Sequence, residues 1–316
     1  MKIGIVGAGI SGSYLAYRLS KKHDVTVIEA KKGVGNKACS GLVSERLWDY
    51  VPKNNRLVKN KITKMKLHFP KKDIILDLHP KMIVVSRAEL DKYVLKKSKA
   101  KVMFNTSVKK LDWKGDKKPV LHTNKGKMEF DYVIGSDGAK SMIRKSLGGR
   151  DPKFNLGIFT YEKAKNRSNT ADTWPLKNGF AWKIPRGDSV EYGVFERPDV
   201  AFREFKKFYP KKPKMVYSAL IPDGYSNIAK KRVTVCGDAA GLAKPWSGGG
   251  IVWAMKSTDI LIKNFPDFRK YDRELKEFFE PRIFFSRNIS KLGKFIGKNM
   301  PWLVPKEVYF DSDWIF

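Results

Sequence analysis

Hydrophobic residues recur with two different periods along the chain, and each change of period marks an element. Residues 2–6 are a short apolar run of the kind that is buried in a parallel sheet. Residues 11–22 follow with helical spacing, which puts their apolar side chains on one face, and residues 25–29 are apolar again. The start of the chain therefore predicts a strand–helix–strand unit.

The rest of the chain alternates between strand-like and helical stretches. Alternating or apolar segments predict strands within 64–85, 101–135, 154–220 and 232–236. Helical spacing predicts a helix at 86–97 with Ser86 as its N-cap, a short helix near 199–208, and a largely helical stretch up to about residue 298. A tail rich in aromatic residues follows.

Glycines at the first turn follow the pattern G-x-G-x-x-G over residues 7–12. Gly7 makes the tight turn, Gly9 lets the backbone approach a pyrophosphate, and Gly12 lets the helix pack on the strand. The helix offers unpaired N–H groups to phosphates, and Glu29 ends the second strand where a carboxylate can bind an adenosine ribose. This combination predicts dinucleotide binding without separating FAD from NAD.

Two later segments resemble fingerprints of flavoproteins with the para-hydroxybenzoate hydroxylase fold. Residues 131–144 resemble the Asp-Gly motif of that group, and residues 235–251 resemble its Gly-Asp motif. In the second motif, Asp238 ends a strand where its carboxylate can hold ribityl hydroxyls, and the glycines at 248–250 open a helix. The positive end of that helix then faces the flavin edge that becomes negative on reduction. The resemblance implies FAD as the cofactor.

The motifs and the order of elements together imply an α/β chain (α+β overall) with a Rossmann-like FAD-binding domain of the para-hydroxybenzoate hydroxylase type. An antiparallel β-sheet substrate domain is inserted into it, and a short helical C-terminal region follows. The expected FAD-binding domain is discontinuous, at 1–64, 82–150 and 228–264. The expected β-sheet domain comprises 65–81 and 151–227, and the helical C-terminal region with its aromatic tail is 265–316.

Two further segments narrow the resemblance to the archaeal geranylgeranyl reductase family. Residues 37–41, Lys-Ala-Cys-Ser-Gly, match a Cys-Gly or Cys-Ser-Gly segment beside the flavin. Residues 180–185, Phe-Ala-Trp-Lys-Ile-Pro, followed by Gly193, look like the signature Y-x-W-x-F-P…G-x-G. The chain departs from this signature at three positions that line or support the substrate cavity in the family: Phe180, Ile184 and Phe195. The resemblance therefore leaves the shape of the substrate open.

The resemblance implies a FAD-dependent reductase that saturates C=C bonds in the prenyl (geranylgeranyl) chains of isoprenoid lipids or their precursors, by hydride transfer from N5 of the reduced flavin. The expected external reductant is NAD(P)H or reduced ferredoxin, the latter as an electron-donor protein. Phe180 and Trp182 are expected in the substrate cavity. Cys39 is a proton donor, a residue that shapes the cavity, or a small buried side chain; a covalent bond to the flavin and a disulfide are less favoured alternatives. The expected cofactor-binding residues are Gly7, Gly9, Ser11, Gly12, Glu29, Ala30, Ala38, Cys39, Gly41, Arg87, Val108, Asp137, Gly138, Asp238, Pro245, Gly248, Gly249, Gly250 and Ile251.

Two other flavoenzyme classes with this fold remain alternatives. Residues 180–185 also approach the W-x-W-x-I-P signature of flavin-dependent halogenases, although the sequence identifies no counterpart of their catalytic lysine. A flavin-dependent monooxygenase acting on an aromatic substrate shares all three FAD motifs. Both alternatives need O₂, whereas the saturation of an alkene does not.

Composition changes this interpretation mainly through charge. The 64 Lys and Arg residues against 32 Asp and Glu give a net charge of +32, which by itself suggests nucleic acid, an anionic membrane face or an acidic substrate as partner. No motif for nucleic-acid binding is found. Two explanations of the charge remain. Either the protein contacts an anionic membrane face peripherally, or it belongs to a Lys-rich proteome and the charge serves no partner.

The remaining composition gives only negative expectations. Two cysteines and four scattered histidines predict neither a disulfide framework nor a metal site. The lack of a long apolar run and of a signal-peptide pattern predicts a cytoplasmic protein, peripheral at the inner face of the cell membrane if the charge serves that purpose.

Overall fold

A computed structural model describes residues 1–35, 37–114 and 118–314. Its strands are β1 (Lys2–Val6), β2 (Asp24–Ile28), β3 (Leu42–Ser44), β4 (Val58–Phe69), β5 (Lys72–Val85), β6 (Lys101–Met103), β7 (Val108–Lys114), β8 (Lys118–Thr123), β9 (Gly126–Glu129), β10 (Tyr132–Gly135), β11 (Lys153–Asn166), β12 (Thr170–Pro175), β13 (Phe180–Pro185), β14 (Gly187–Glu196), β15 (Tyr217–Asp223), β16 (Ala229–Lys230), β17 (Val233–Val235) and β18 (Glu307–Asp311). Its α-helices are α1 (Ile10–Leu19), α2 (Leu47–Tyr50), α3 (Arg87–Leu95), α4 (Met142–Ser146), α5 (Pro198–Phe208), α6 (Ile251–Asn264) and α7 (Phe268–Asn299).

A mostly parallel sheet forms the centre of the dinucleotide-binding part, with β16 antiparallel at its edge. Among the described residues its strand order is β16-β17-β10-β1-β2-β6, and β1 pairs in parallel with both β2 and β10. The short apolar runs make these strands because both faces of the sheet are covered, so alternation is not needed. Helix α1 connects β1 to β2 and packs on α3 and α6. The predicted strand–helix–strand unit and the Rossmann-like fold are therefore confirmed.

A larger sheet is inserted into this part, with the order β15-β11-β14-β13-β12-β4-β5-β18 and β3 paired to β5 at one side. Most of its pairs are antiparallel, as predicted, but β12 runs parallel to β4 and β18 runs parallel to β5. The strands β4 and β5 extend from 58 to 69 and from 72 to 85, so the predicted domain limits at 65 and 81 fall inside single strands. The sheet begins at residue 58, where β4 first pairs with β5, whereas the alternation of hydrophobic residues becomes clear only near residue 65.

The region after residue 265 contains one long helix and a strand. Asp267 caps α7 by accepting the N–H groups of Arg269 and Lys270 at 3.1 and 3.0 Å. The first half of α7 buries Tyr271 and Phe279 against the parallel-sheet part. The aromatic tail then forms β18, which the sequence pattern does not predict, since its partner β5 lies more than 200 positions earlier in the chain. Within the described ranges, no helix combines the length and the apolar composition that crossing a bilayer requires.

Candidate active site

The three glycines of the first motif, in the turn after β1, differ in how closely other atoms pack around them. Gly7 has φ +98°, and a Cβ on it would lie 2.5 Å from the carbonyl oxygen of Ser136. A Cβ on Gly12 would lie 1.9 Å from the carbonyl oxygen of Gly7. Gly9, which caps α1, would meet nothing within 4 Å. Gly7 and Gly12 therefore serve the packing of the chain, whereas Gly9 faces open space at the helix N-terminus, where a pyrophosphate can approach.

Glu29 supports this turn from the end of β2. Its Oε2 accepts the N–H of Ala8 at 2.8 Å, and its Oε1 accepts the N–H of Lys31 at 2.9 Å. The backbone carbonyl of Glu29 also accepts the N–H of Thr106, which brings the start of β7, at Val108, towards the same edge of the sheet. Ala30 is exposed next to Glu29. These residues lie beside the glycine turn but outside the lining of the adjacent cavity of about 520 Å³.

The loop before α6 carries the second glycine cluster. Asp238 lines the cavity, and its carboxylate pairs with the ammonium group of Lys37. A Cβ on Gly250 would lie 3.2 Å from Oδ1 of Asp238, so the carboxylate stands next to the start of α6. Among the residues that the structure describes, no side chain caps this helix. The positive end of α6 therefore faces the cavity beside Asp238.

The Asp-Gly motif contributes to the site through its glycine. The Asp137 carboxylate accepts hydrogen bonds from Ser141 Oγ at 2.5 Å and from the N–H groups of Met142 and Ile143 at 2.7 and 3.1 Å. Burial raises the pKa of this carboxyl group. Both of its oxygens are thus engaged in starting α4, while the neighbouring Gly138 lines the cavity.

The loop that contains Cys39 is held between β5 and α3. Gly41 has φ +68°, and a Cβ on it would lie 1.9 Å from the carbonyl oxygen of Val85, so only glycine fits. Its N–H donates to Cys39 Sγ at 3.4 Å, and the half-buried thiol lines the cavity. Arg87, buried at the start of α3, also lines it and donates to Asp91 at 3.1–3.2 Å. Burial opposes the charge on Arg87, but Asp91 and the adjacent Cys39 thiol together raise its pKa.

An aromatic wall covers the opposite side of the cavity. Trp182 on β13 lies opposite Gly193 on β14, and a Cβ on Gly193 would lie 2.2 Å from the indole ring. The indole N–H donates to Glu191 Oε1 at 2.8 Å, and Glu191 forms an ion pair of 3.0 Å with Arg186. Both charged side chains are buried. The Phe-x-Trp…Gly spacing thus has a local physical reason, and Glu191 and Arg186, which the sequence analysis missed, fix the ring.

The three positions that depart from the reductase signature all line the same cavity: Phe180, Ile184 and Phe195. Phe180 and Phe195 face each other across β13 and β14, with ring centroids 5.3 Å apart. Phe195 stands where the family signature has its second glycine, so a pair of aromatic rings fills the space that a glycine would leave open. The cavity wall is shaped by this sequence in particular.

One cavity of about 520 Å³ joins these features. It runs from the glycine motifs past Cys39 to an apolar surface on β4 and β5, and it reaches α7 and the tail. The predicted site residues that line it are Gly9, Ser11, Ala38, Cys39, Arg87, Gly138, Phe180, Trp182, Asp238, Gly248, Gly249, Gly250 and Ile251. Those outside its lining are Gly7, Gly12, Glu29, Ala30, Gly41, Val108, Asp137 and Pro245.

A buried ionic anchor ties the tail to the loop before α6. Lys244 Nζ lies 3.0 Å from Asp313 Oδ1, and both side chains are buried. Asp313 also accepts a hydrogen bond from Ser44, and Arg46 binds Asp311 through two contacts of 2.6 and 2.7 Å. Because the partners are far apart in the chain, no local pattern signals this anchor. It holds the tail against the same loop that carries Asp238 and the glycines.

Comparisons with known proteins agree with this geometry. Residues 5–61 match a family of NAD(P)-binding Rossmann-like domains. The chain is 25% identical to the chloroplastic geranylgeranyl diphosphate reductase of Oryza sativa subsp. japonica over 81% of its length, which spans 64% of the rice protein. It is 24% identical to digeranylgeranylglycerophospholipid reductase 1 of Methanosphaera stadtmanae over 87% of its length and 78% of that protein. The chain is a distant relative of the geranylgeranyl reductases.

Solved structures show the fold. A geranylgeranyl bacteriochlorophyll reductase-like protein from Thermoplasma acidophilum superposes with a TM-score of 0.80 at 17% identity, over 92% of this chain and 86% of that one. The flavin-dependent halogenase CmlS superposes with a TM-score of 0.70 at 18% identity, over 88% of this chain and 62% of that one. The chain therefore has the fold of FAD-dependent oxidoreductases, and the fold by itself does not separate reductase from halogenase.

The residues present fit FAD. Open space lies above Gly9 at the start of α1, and the start of α6 faces the same cavity beside Asp238. These two helix ends are the places where the fold would hold a pyrophosphate and the electron-rich edge of a flavin. Arg87 adds a buried cation to the lining of the same cavity.

Proposed function

We propose that this protein is a FAD-dependent reductase that saturates isolated C=C bonds in the prenyl chains of isoprenoid lipids or of their precursors. The observation that carries the proposal is the single cavity that joins the glycine motifs to a long apolar surface. An aromatic or halide-binding pocket would not need that length of aliphatic lining. The names of the relatives, which are reductases of geranylgeranyl compounds, support the same class of substrate.

The cofactor would be held by residues already arranged for it. Gly9 and the first turn of α1 would bind the pyrophosphate, and Glu29 the adenosine ribose. Asp238 and the N-terminus of α6 would bind the ribityl chain and the flavin edge. When bound and reduced, FAD supplies the hydride for the alkene carbon.

The protein's own part is to exclude water and to fix the substrate. An isolated alkene has no charge or carbonyl group to polarise, so rate acceleration depends on orientation in a dry pocket. The buried Arg186–Glu191 pair holds the Trp182 ring, and Phe180 and Phe195 extend the wall. Their rigidity would keep the double bond in one position.

The second alkene carbon needs a proton, and we assign its delivery to Cys39. Its thiol lines the cavity, and the Arg87 guanidinium lies beside it. The step breaks the S–H bond, forms a C–H bond and leaves a thiolate at the cavity wall. A proton from solvent would restore the thiol after product release.

The test is anaerobic turnover with a chemically reduced flavin. The FAD-loaded protein is supplied with geranylgeranyl diphosphate or a digeranylgeranyl glycerophospholipid, and the products are analysed by mass spectrometry. Addition of one H₂ per reduced double bond, without O₂, is the expected result. A protein that consumes substrate only with O₂, or only with O₂ and halide, would be a monooxygenase or a halogenase instead.

The same assay separates the roles of the chain's residues. Cys39→Ser should retain FAD but lose about a hundredfold to ten-thousandfold in turnover, since general acid catalysis contributes on that order. Trp113→Phe changes an exposed side chain and is the control for effects of substitution and purification. It should reduce the substrate at the same rate as the unmodified protein. Replacing the chemical reductant of this assay with NADPH, NADH or reduced ferredoxin then identifies the physiological class of electron donor.

A further inference from the structure

The second half of α7 exposes large apolar side chains. Phe284, Leu292 and Phe295 are 63%, 57% and 54% exposed. Their separations of eight and three residues put them on one side of the helix, away from the buried Ile283. The following turn adds Trp302, which is 69% exposed. We call Phe284, Ile289, Leu292, Phe295 and Trp302 the α7 patch.

Positive charge borders this patch. Residues 281–306 contain no Asp or Glu and six basic residues: Arg282, Arg287, Lys291, Lys294, Lys298 and Lys306. Lys291 and Lys298 are exposed on the same half of α7. Arg287 pairs with Asp223 at 2.6 Å, and Lys294 donates to the carbonyl of Gly179 at 2.8 Å, so those two hold the helix on the sheet.

The patch adjoins the mouth of the cavity. Ile289 is 41% exposed and also lines the cavity, and the exposed Gly293 does the same one turn later. On the inner side, Gly297 packs so closely on Phe69 that a Cβ would lie 2.3 Å from the ring. The last turn of the helix therefore packs on β4, and residues of the preceding turns line the cavity.

We propose that the α7 patch docks on the surface of an anionic lipid bilayer. Exposed aromatic and aliphatic side chains flanked by lysines suit the boundary between headgroups and chains, where the apolar groups insert and the cations meet phosphates. A second copy of this chain fits the patch less well, because it would bring two acid-free, basic segments together.

Docking would place the cavity mouth against the lipid chains. A prenyl chain could then pass Ile289 and Gly293 into the apolar lining without crossing water, which avoids the cost of exposing its surface. This use of the surface rests on the proposed function, but the docking itself does not, because binding to vesicles needs neither reduced FAD nor a reducible lipid.

The test is sedimentation of the full chain with lipid vesicles. Vesicles of phosphatidylcholine alone are compared with vesicles that also contain phosphatidylglycerol, each at low and high salt. We expect binding that requires the anionic lipid and weakens with salt. The double variant Leu292→Ser/Phe295→Ser and the double variant Lys291→Gln/Lys298→Gln should each bind about tenfold or more weakly.

Matched controls remove similar side chains elsewhere. Phe202→Ser/Met215→Ser removes two exposed apolar groups, and Lys96→Gln/Lys99→Gln removes two exposed charges. These variants should bind vesicles as the unmodified protein does, and all variants should keep the same FAD absorbance and unfolding midpoint.

Three outcomes would overturn the proposal: no binding to anionic vesicles, equal losses in patch and control variants, or patch variants that turn a dimer into a monomer by light scattering with vesicle binding unchanged. Turnover of detergent-solubilised substrate reports on the proposed function separately. A protein that reduces the detergent-solubilised lipid yet ignores vesicles would retain the function and refute the docking surface.

Discussion

Gly193 lies directly opposite Trp182 on paired antiparallel strands and leaves the space that the indole ring occupies. The ring is also held at its N–H by the buried Glu191. The wall of the cavity therefore depends on a missing side chain as much as on the aromatic residues themselves.

Placing a methyl group at Gly193 should displace the ring. We expect Gly193→Ala to lower the free energy of unfolding by about 1–3 kcal/mol, because a buried ring in a well-packed wall has little room to move. Urea unfolding followed by circular dichroism measures this change. The double variant Gly193→Ala/Trp182→Leu should be less destabilised than the sum of its two single variants. Simple additivity would show that the two side chains do not compete for the same space.

The first glycine motif should separate cofactor binding from folding. A methyl group at Gly9 meets no protein atom within 4 Å, so Gly9→Ala should leave the cofactor-free protein within about 1 kcal/mol of its original stability. The same group stands where the pyrophosphate would approach, so FAD affinity should fall about tenfold or more. Thermal unfolding and FAD fluorescence titration measure the two quantities.

Gly12→Ala is the contrasting variant. Its Cβ would lie 1.9 Å from a backbone carbonyl, so it should destabilise the protein even without FAD. If Gly9→Ala destabilised the cofactor-free protein as much as Gly12→Ala, the open space assigned to the phosphates would be wrong.

The two cysteines should differ in reactivity. Cys39 lines the cavity and is half-buried, whereas Cys236 is fully buried, and burial raises the pKa of its thiol. The native protein should therefore react with a thiol reagent at one site, and Cys39→Ser should abolish that reaction. Mass spectrometry of the alkylated protein counts the modified sites. The control Cys236→Ala should keep its single reactive thiol, and labelling of Cys236 before unfolding would contradict the structure.

The anchor of the tail should make stability depend on pH. Burial opposes the charge on Asp311, but hydrogen bonds from Arg46 and from two backbone N–H groups lower its pKa below the ordinary 3.8. A carboxyl group whose pKa is lower in the folded state stabilises that state above its unfolded pKa and loses the contribution as pH falls through the folded value. The advantage of the unmodified protein over Asp311→Asn should thus be full near about pH 6 and shrink towards about pH 3.

Urea unfolding at a series of pH values measures this difference. Asp188→Asn removes an exposed carboxylate at another place and serves as the control. A gap between the unmodified protein and Asp311→Asn that stays constant over the whole range would show that the Arg46 contact is not ionic in solution.

Local pattern was sufficient to predict the first βαβ unit and the position of its glycines. Gly7, Gly9 and Gly12 act on the backbone within a few residues of themselves, so their spacing carries the geometry. The helix that follows Gly248–Gly250 was predicted for the same reason, since a glycine run before an apolar helical segment is a local signal.

The contacts that the sequence did not reveal join distant parts of the chain. Lys37 meets Asp238, and Lys244 meets Asp313, but no periodicity connects these positions. Strand β18 was missed because its five residues pair with β5 and have no alternation strong enough to stand alone. Asp137 stays a predicted cofactor-binding residue, and its two oxygens also accept hydrogen bonds at the start of α4, contacts that its motif does not reveal.

The anchor at Asp313 also sets an order of events on the ribosome. A nascent chain that has reached residue 264 already carries the three glycine motifs, yet Lys244 and Ser44 have no Asp313 to bind until nearly fifty further residues have been added. Until then Lys244 must remain hydrated, because an ammonium group is not buried without its partner. The loop before α6 can therefore close only after β18 has joined the sheet, so this side of the cavity is completed only once residues 307–313 have left the exit tunnel.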